Sequence, residues 1–276
     1  MELQGDTQIG GTHFDRTVAV RRVGPAEAGR ASFVAEFDES WSSLRGIHGG
    51  YAVATVAGAL RNTLPDRSVR TIAASFLRPA APGPADIEVS VLRAGRSLAT
   101  VDAVVRQQER DVIVVRATLR SHGDAESWSL PLSSRPAPLE ACLPFTAPPG
   151  IAHFEQAEMR IDPQTPVTFG GADDARVAGH IRPSEPRAID AAWLVMAGDW
   201  FPPSPFRRLA PPSGGVSIDY TVHVHRTLPV DPQRWLEGVF DARVGEGGIA
   251  LEHGTLATPD GVAVAETFHT RWIAGH

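Results

Sequence analysis

Two stretches of this chain are small, apolar and unbroken, and each is followed by a series of alternating segments. From His48 to Leu60 nearly every side chain is small or apolar, which predicts a helix buried almost all round. Ahead of it, Ala31 to Phe37 alternates weakly and predicts a strand. After it, Val69–Leu77, Asp86–Arg93, Leu98–Gln107 and Asp111–Arg120 read as strands, with Ala94-Gly95 and Glu109-Arg110 at hairpin turns. The order then recurs. Val177–Arg182 predicts a strand, and Ile189 to about Trp200 an apolar helix stopped by Pro202-Pro203. Strands follow at Val216–Arg226, Trp235–Arg243, Ile249–Ala257 and Gly261–Ile273, with a turn signal at Pro259-Asp260-Gly261.

The later strands of the two series match at an offset of 150: Arg93 and Gly95 fall on Arg243 and Gly245, and Pro79 falls on Pro229. The helices do not share this offset, because His48 would pair with Asp190. The connecting loops therefore differ in length. Prolines 131, 136, 138, 144, 148 and 149 favour an irregular path between the series. The chain divides into an N-terminal repeat (1–125), a proline-rich linker (126–150) and a C-terminal repeat (151–276). One helix followed by an antiparallel meander is an α+β unit, with the sheet wrapped round the helix. Each unit alone exposes a sheet edge, and joining the two edges gives the duplication a physical reason.

Composition narrows the classes. With 42% hydrophobic and 21% charged residues the chain reads as globular and soluble. No apolar run approaches the roughly 20 residues needed to span a bilayer, so no membrane association is expected. The first residues show neither a basic start nor an apolar core, which points to the cytoplasm. A net charge of -6 argues against nucleic acid as a partner. Every basic residue is Arg, which excludes Schiff-base and P-loop lysine chemistry. Cys142 stands alone, so neither an internal disulfide nor a cysteine zinc cluster is expected, and it reads as a small buried or loop residue.

The two helix regions carry complementary chemistry. The first begins His48-Gly49-Gly50 and has no acid nine positions after its His. The second begins Asp190-Ala191-Ala192 and carries Asp199. Backbone N–H groups at a helix start stabilise developing negative charge, and glycine lets a substrate approach them closely. Gly49 and Gly50 fit that role, against a plainer one in helix packing. Asp199, among Met196, Trp200 and Phe201, is an acid in apolar company, which is costly unless it is paired or functional. Facing one another, an amide-rich turn and a carboxylate are the equipment of a hydrolase.

Three segments of the first repeat, Ile47-His48-Gly49-Gly50-Tyr51, Ser75-Phe76-Leu77-Arg78-Pro79 and Leu92 to Ser97, resemble acyl-CoA thioesterase II. Gly198-Asp199-Trp200-Phe201-Pro202, Ser217-Ile218-Asp219-Tyr220 and His225-Arg226 resemble its second repeat. The resemblance covers roughly residues 30–120 and 175–273. It implies a double hotdog, two tandem repeats each with a helix gripped by a curved antiparallel sheet. It also implies hydrolysis of a fatty acyl-CoA thioester by water, with neither metal nor cofactor. The family holds the water with Asp, Thr and Gln. Asp199 occupies the first position, Ser217 replaces the Thr, and His269 replaces the Gln. A Gln only positions water, whereas a His also accepts its proton.

The repeat supports His269, since at the 150 offset it falls on Leu119, an inward position. Its plainer reading is a satisfied core histidine. Ser217 is less favoured: simple alternation places it opposite Val216, Ile218, Tyr220 and Val222, unless a bulge intervenes. Asp199, Ser217 and His269 invite a Ser-His-Asp reading, but Ser217 lacks the Gly-x-Ser-x-Gly elbow. His223 and His225, two apart, lack a clear third ligand, so no metal site is expected. Arg78, Arg207 and Arg208 are possible contacts for CoA phosphates. The leading expectation is acyl-CoA hydrolysis by Asp199, Ser217, His269, Gly49 and Gly50. Competing readings are acyl-CoA binding without hydrolysis, and hydration or dehydration of an enoyl-CoA. A homodimer of double-hotdog chains is plausible because the sheet backs need covering.

Overall fold

The computed structural model describes residues 11–27, 29–121, 123, 128–209 and 215–273. Its first half contains α1 (His13–Thr17), β1 (Val20–Glu27), β2 (Arg30–Phe37), the short strands β3 (Ser42–Ser43) and β4 (Gly46–Ile47), α2 (Gly49–Thr63), β5 (Arg67–Phe76), β6 (Gly83–Ala94), β7 (Leu98–Gln107) and β8 (Arg110–Ser121). The second half contains β9 (Leu143–Pro144), β10 (Ala157–Ile161), β11 (Arg176–Pro183), α3 (Ala191–Ala197), β12 (Gly215–Val224), β13 (Leu236–Glu246), β14 (Ile249–Ala257) and β15 (Ala263–Ile273).

One 13-stranded sheet runs β1-β2-β6-β7-β8-β5-β12-β15-β14-β13-β11-β10-β9. Read outward from the middle, β5-β8-β7-β6-β2 on one side matches β12-β15-β14-β13-β11 on the other. The halves meet edge to edge at β5 and β12, antiparallel, from Ser75 opposite Asp219 to Thr71 opposite His223. Each half therefore lends the other its open edge, as the repeat predicts. The arrangement is a double hotdog, α+β in class.

The sheet curls round α2 and α3. Every residue of α2 from Gly50 to Leu60 is buried, so small side chains are needed on all its faces. His48 caps it, with Nδ1 accepting the Tyr51 N–H at 3.2 Å. Tyr51 stacks on Trp41 with ring centroids 4.6 Å apart, which seats the helix against the first half of the sheet. The second helix is shorter than its apolar run predicts. It is capped by Asp190, whose Oδ1 accepts the Trp193 N–H at 2.9 Å, and it ends at Ala197. Beyond Gly198 the turn tightens, as the N–H groups of Asp199 and Trp200 reach back three residues to Met196 and Ala197. Gly198 is required there: a Cβ would lie 2.4 Å from the Tyr220 hydroxyl oxygen.

Some elements depart from the alternation pattern. The β7–β8 turn is centred on Gln108 and Glu109, at φ 50° and 61°, one residue earlier than the pattern suggests. Strand β1 and helix α1 carry no clear period in the sequence, whereas β10 alternates over its five residues, Ala157–Ile161, and was overlooked. The proline-rich segment is irregular, as expected, but it is bound along the second half. Ala137 donates its N–H to Asp162 at 2.8 Å, its carbonyl meets His180 Nε2 at 2.8 Å, and β9 pairs with β10. Cys142 lies buried in this segment, and burial pushes its thiol up to about 11.

Candidate active site

The N-terminus of α2 meets the turn after α3, so the amide pair of one repeat faces the carboxylate of the other. Gly50 donates its N–H to Asp199 Oδ2 at 2.8 Å. A Cβ on Gly50 would sit 2.8 Å from Asp199 Cβ and 2.9 Å from the Met196 carbonyl oxygen, so only glycine lets the two segments close. The positive end of α2 thereby supports an anion. The two glycines differ in what they leave free. Gly50's N–H is committed to Asp199, whereas Gly49's N–H has no acceptor among the described residues.

His48 holds Asp199 from another side. With Nδ1 accepting from Tyr51, the proton lies on Nε2, which donates to the Asp199 carbonyl at 2.9 Å. Burial lowers its pKa below the usual 6.5, more strongly than Asp199 raises it, so the ring is neutral. His48 is thus a cap and a clamp.

Ser217 reaches the site through a bulge. Ser217 pairs with Arg271, but Asp219 pairs with Thr270 and Tyr220 with His269, so Ile218 is the extra residue. Simple alternation turns Ser217 away from Tyr220; the bulge returns it to the same face. There its Oγ lies 2.7 Å from His269 Nε2. On the far side of the ring, His269 Nδ1 lies 3.2 Å from Asp199 Oδ1, close but without an aligned hydrogen bond. Burial first, and then the facing Arg271, lower the His269 pKa, leaving a neutral imidazole.

Arg271 and Glu252 complete the cluster, and the sequence reading missed both. Arg271 Nη2 lies 3.2 Å from Asp199 Oδ1 and 2.9 Å from Glu252 Oε1. Glu252 also accepts the Ser204 N–H at 2.6 Å. One buried guanidinium thus serves two buried acids. Burial works to raise the Asp199 pKa, yet it lies below the usual range; with both imidazoles neutral, the groups that hold the carboxylate as its anion are the Arg271 guanidinium and the Gly50 N–H. An acid so strongly stabilised as its anion is a weak base. Neutral His269, with Nε2 at a hydroxyl, is the better proton acceptor. The missed signal was available: strand period places Arg271 on the inward face of Thr267 and His269.

A cavity of about 1050 Å³ opens onto this cluster, and Asp199, Ser217, Arg271 and Gly49 form part of its wall. Much of the remainder is apolar, including Phe145, Ile151, Phe154 and Val167. The other candidates lie elsewhere or are already engaged. Arg207 is buried against Asp174 at 2.8 Å, and Arg208 and Arg78 bond backbone carbonyls. His225 pairs with Glu266 at 2.9 Å, and His223 meets Thr71 Oγ1 at 3.3 Å. Among the described residues no group of three His, Cys, Asp or Glu side chains is arranged to hold a metal ion. No helix among them is long and apolar enough to cross a membrane.

Residues 37–121 match the model of the acyl-CoA thioesterase N-terminal domain, and residues 131–273 match that of the acyl-CoA thioesterase C-terminal domain. The chain belongs to the acyl-CoA thioesterase family. Within this thioesterase family the fold is shared with distant solved structures. A conserved protein of unknown function with a hot dog fold, from Alicyclobacillus acidocaldarius, is 20% identical with a TM-score of 0.82, covering 97% of this chain and 100% of its own. Acyl-CoA thioesterase II TesB2 from Mycobacterium marinum is 19% identical with a TM-score of 0.71, covering 95% and 96%. The tesB protein of Mycobacterium avium subs paratuberculosis is 20% identical with a TM-score of 0.70, covering 95% and 98%. A comparison with curated proteins found no match.

Proposed function

We propose that this thioesterase-family chain hydrolyses an acyl-CoA thioester to a free acid and CoA at the cavity between its two repeats. The observation that carries this reading is the pair of contacts that joins Ser217 to His269 at 2.7 Å and His269 to Asp199 at 3.2 Å, with Ser217 and Asp199 both in the cavity wall. Hydrolysis needs a base that is neutral before the reaction and tolerates charge during it. His269 meets both needs, because Asp199 faces its Nδ1 and stabilises the imidazolium that forms. Asp199 stays ionised because the Gly50 N–H and Arg271 hold it as the anion. The free Gly49 N–H, at the start of a 15-residue helix, is the donor placed to receive the thioester oxyanion. The apolar wall suits an apolar acyl group, and 1050 Å³ leaves room for one beyond the reacting carbonyl.

The test is a thiol-release screen over short, medium, long and aromatic acyl-CoAs, with enoyl-CoA hydration followed in parallel. Steady thiol release from at least one class is the expected result. Tight acyl-CoA binding without release, or hydration without release, contradicts the proposal.

A further inference from the structure

We infer that Ser217 is itself the nucleophile, so that hydrolysis passes through an acyl ester on its Oγ instead of a direct attack by water. The inference rests on the hydrolytic reading above and concerns how that reaction proceeds.

Counting hydrogen-bond capacity around the cluster leads to it. A neutral imidazole has one lone pair, and that of His269 lies on Nε2 once Nδ1–H faces Asp199. Ser217 Oγ already occupies Nε2 at 2.7 Å. A water using this base would have to displace the hydroxyl that lines the cavity beside it. Asp199 offers no better seat. Its Oδ2 accepts from Gly50 at 2.8 Å and its Oδ1 accepts from Arg271 at 3.2 Å and faces His269; acceptor capacity is left on it, but the amide and the guanidinium that hold it as the anion make it a weaker base than the neutral imidazole. His48 is fully engaged, accepting from Tyr51 and donating to the Asp199 carbonyl. Among the described residues, the hydroxyl in contact with the best base is that of Ser217.

The bulge at Ile218 performs the task of a nucleophile elbow by other means. It inserts one residue into β12, rotates Ser217 onto the inward face and leaves the strand paired on both sides. His269 is equally specific to this chemistry. A Gln, which the family resemblance implies at that position, can orient a water but cannot accept a proton from serine.

The steps balance without a further reactant. Ser217 Oγ attacks the thioester carbonyl carbon as its proton passes to His269 Nε2, and the oxyanion forms toward the Gly49 N–H. The C–S bond breaks, the thiolate takes the proton from His269 and leaves as CoA thiol, and the acyl group remains on Oγ. Water then attacks the ester while giving a proton to Nε2. The C–Oγ bond breaks, Ser217 recovers the proton, and the acid departs.

The experiment treats purified protein with its best acyl-CoA and quenches in acid within milliseconds for intact mass and peptide mapping. A second sample is treated with an alkyl fluorophosphonate, which reports serine nucleophilicity whether or not the acyl ester accumulates. The expected result is an acyl or phosphonyl adduct on the Ser217 peptide. In parallel, Ser217→Ala, with an unfolding midpoint matching wild type, should lose about 1000-fold or more in turnover. Ser217→Ala turning over within about tenfold of wild type, or a wild type that releases thiol yet takes neither label, overturns the inference and leaves hydrolysis standing. Absence of thiol release from every acyl-CoA instead defeats the hydrolytic reading itself.

Discussion

The two halves of the molecule use one topology for opposite purposes, and a single row of side chains shows the difference. In the first half, Val69 on β5, Leu119 on β8 and Ala99 on β7 lie side by side across three strands, all buried. In the second half the matching row is Tyr220 on β12, His269 on β15 and Glu252 on β14, also buried. The first row closes a core. The second carries a base, an acid and a phenol through the same depth of the fold, with Arg271 added one inward position further along β15. Apolar packing in one half gives the rigidity against which the other holds groups that cost free energy to bury. The division extends to the helices. The long α2 supplies amides, while α3 stops after seven residues so that the following turn can present Asp199.

Exchanging the rows tests this contrast most severely. His269→Leu installs the residue of the first half. Turnover should fall about 1000-fold or more in a thiol-release assay, with the unfolding midpoint unchanged or higher, since a desolvated polar ring is replaced by an apolar one. Loss of fold in place of loss of rate would mean that the row is structural in both halves. Next in size is Arg271→Met. It leaves Asp199 and Glu252 without their shared cation, and urea unfolding should show about 3–5 kcal/mol of destabilisation. A loss below about 1 kcal/mol would show that the buried charges are not held as an ionic unit.

The smallest expected effect is on pH dependence. His269 must be neutral to accept a proton, and its pKa is lowered by burial and then by Arg271. Activity should hold as pH drops through the usual 6.5 and fall only below it. An acidic limb above 6.5 would contradict a desolvated base. Stability should respond in the same direction. His153, tilted against His48 with ring centroids 4.5 Å apart, is held down to about 3 by burial, so below 6.5 the unfolded chain binds a proton that the folded chain refuses. Stability should therefore decline from 6.5 toward about 3, a slope that pH-dependent unfolding would measure.

Much of this was legible in the sequence, because periodicity reports which face is buried. The apolar run at α2, the strands on both sides and the repeat between halves follow from side-chain spacing alone. His269 emerged because a polar residue occupied the counterpart of Leu119. Other features were hidden for identifiable reasons. The bulge at Ile218 adds one residue to a strand whose composition does not mark it, so alternation assigned Ser217 to the wrong face. Arg271 shares the period of Thr267 and His269 and was overlooked, whereas Glu252 lies on another strand and only the register sets it beside His269. The Gly50 contact joins residues 149 apart, and no local pattern encodes which of two neighbouring amides is spent on the carboxylate.

The meeting of those two elements across the repeats is tested most directly by kcat/KM for thiol release in Asp199→Asn beside wild type. The asparagine keeps the volume and an oxygen for the Gly50 N–H, but not the charge that orients and supports His269. The account predicts a fall of at least about 100-fold in a variant that still folds, with a lowered unfolding midpoint because the amide NH2 then faces the Arg271 and His269 donors. Normal turnover by the folded variant would remove the carboxylate from the chemistry and contradict the account.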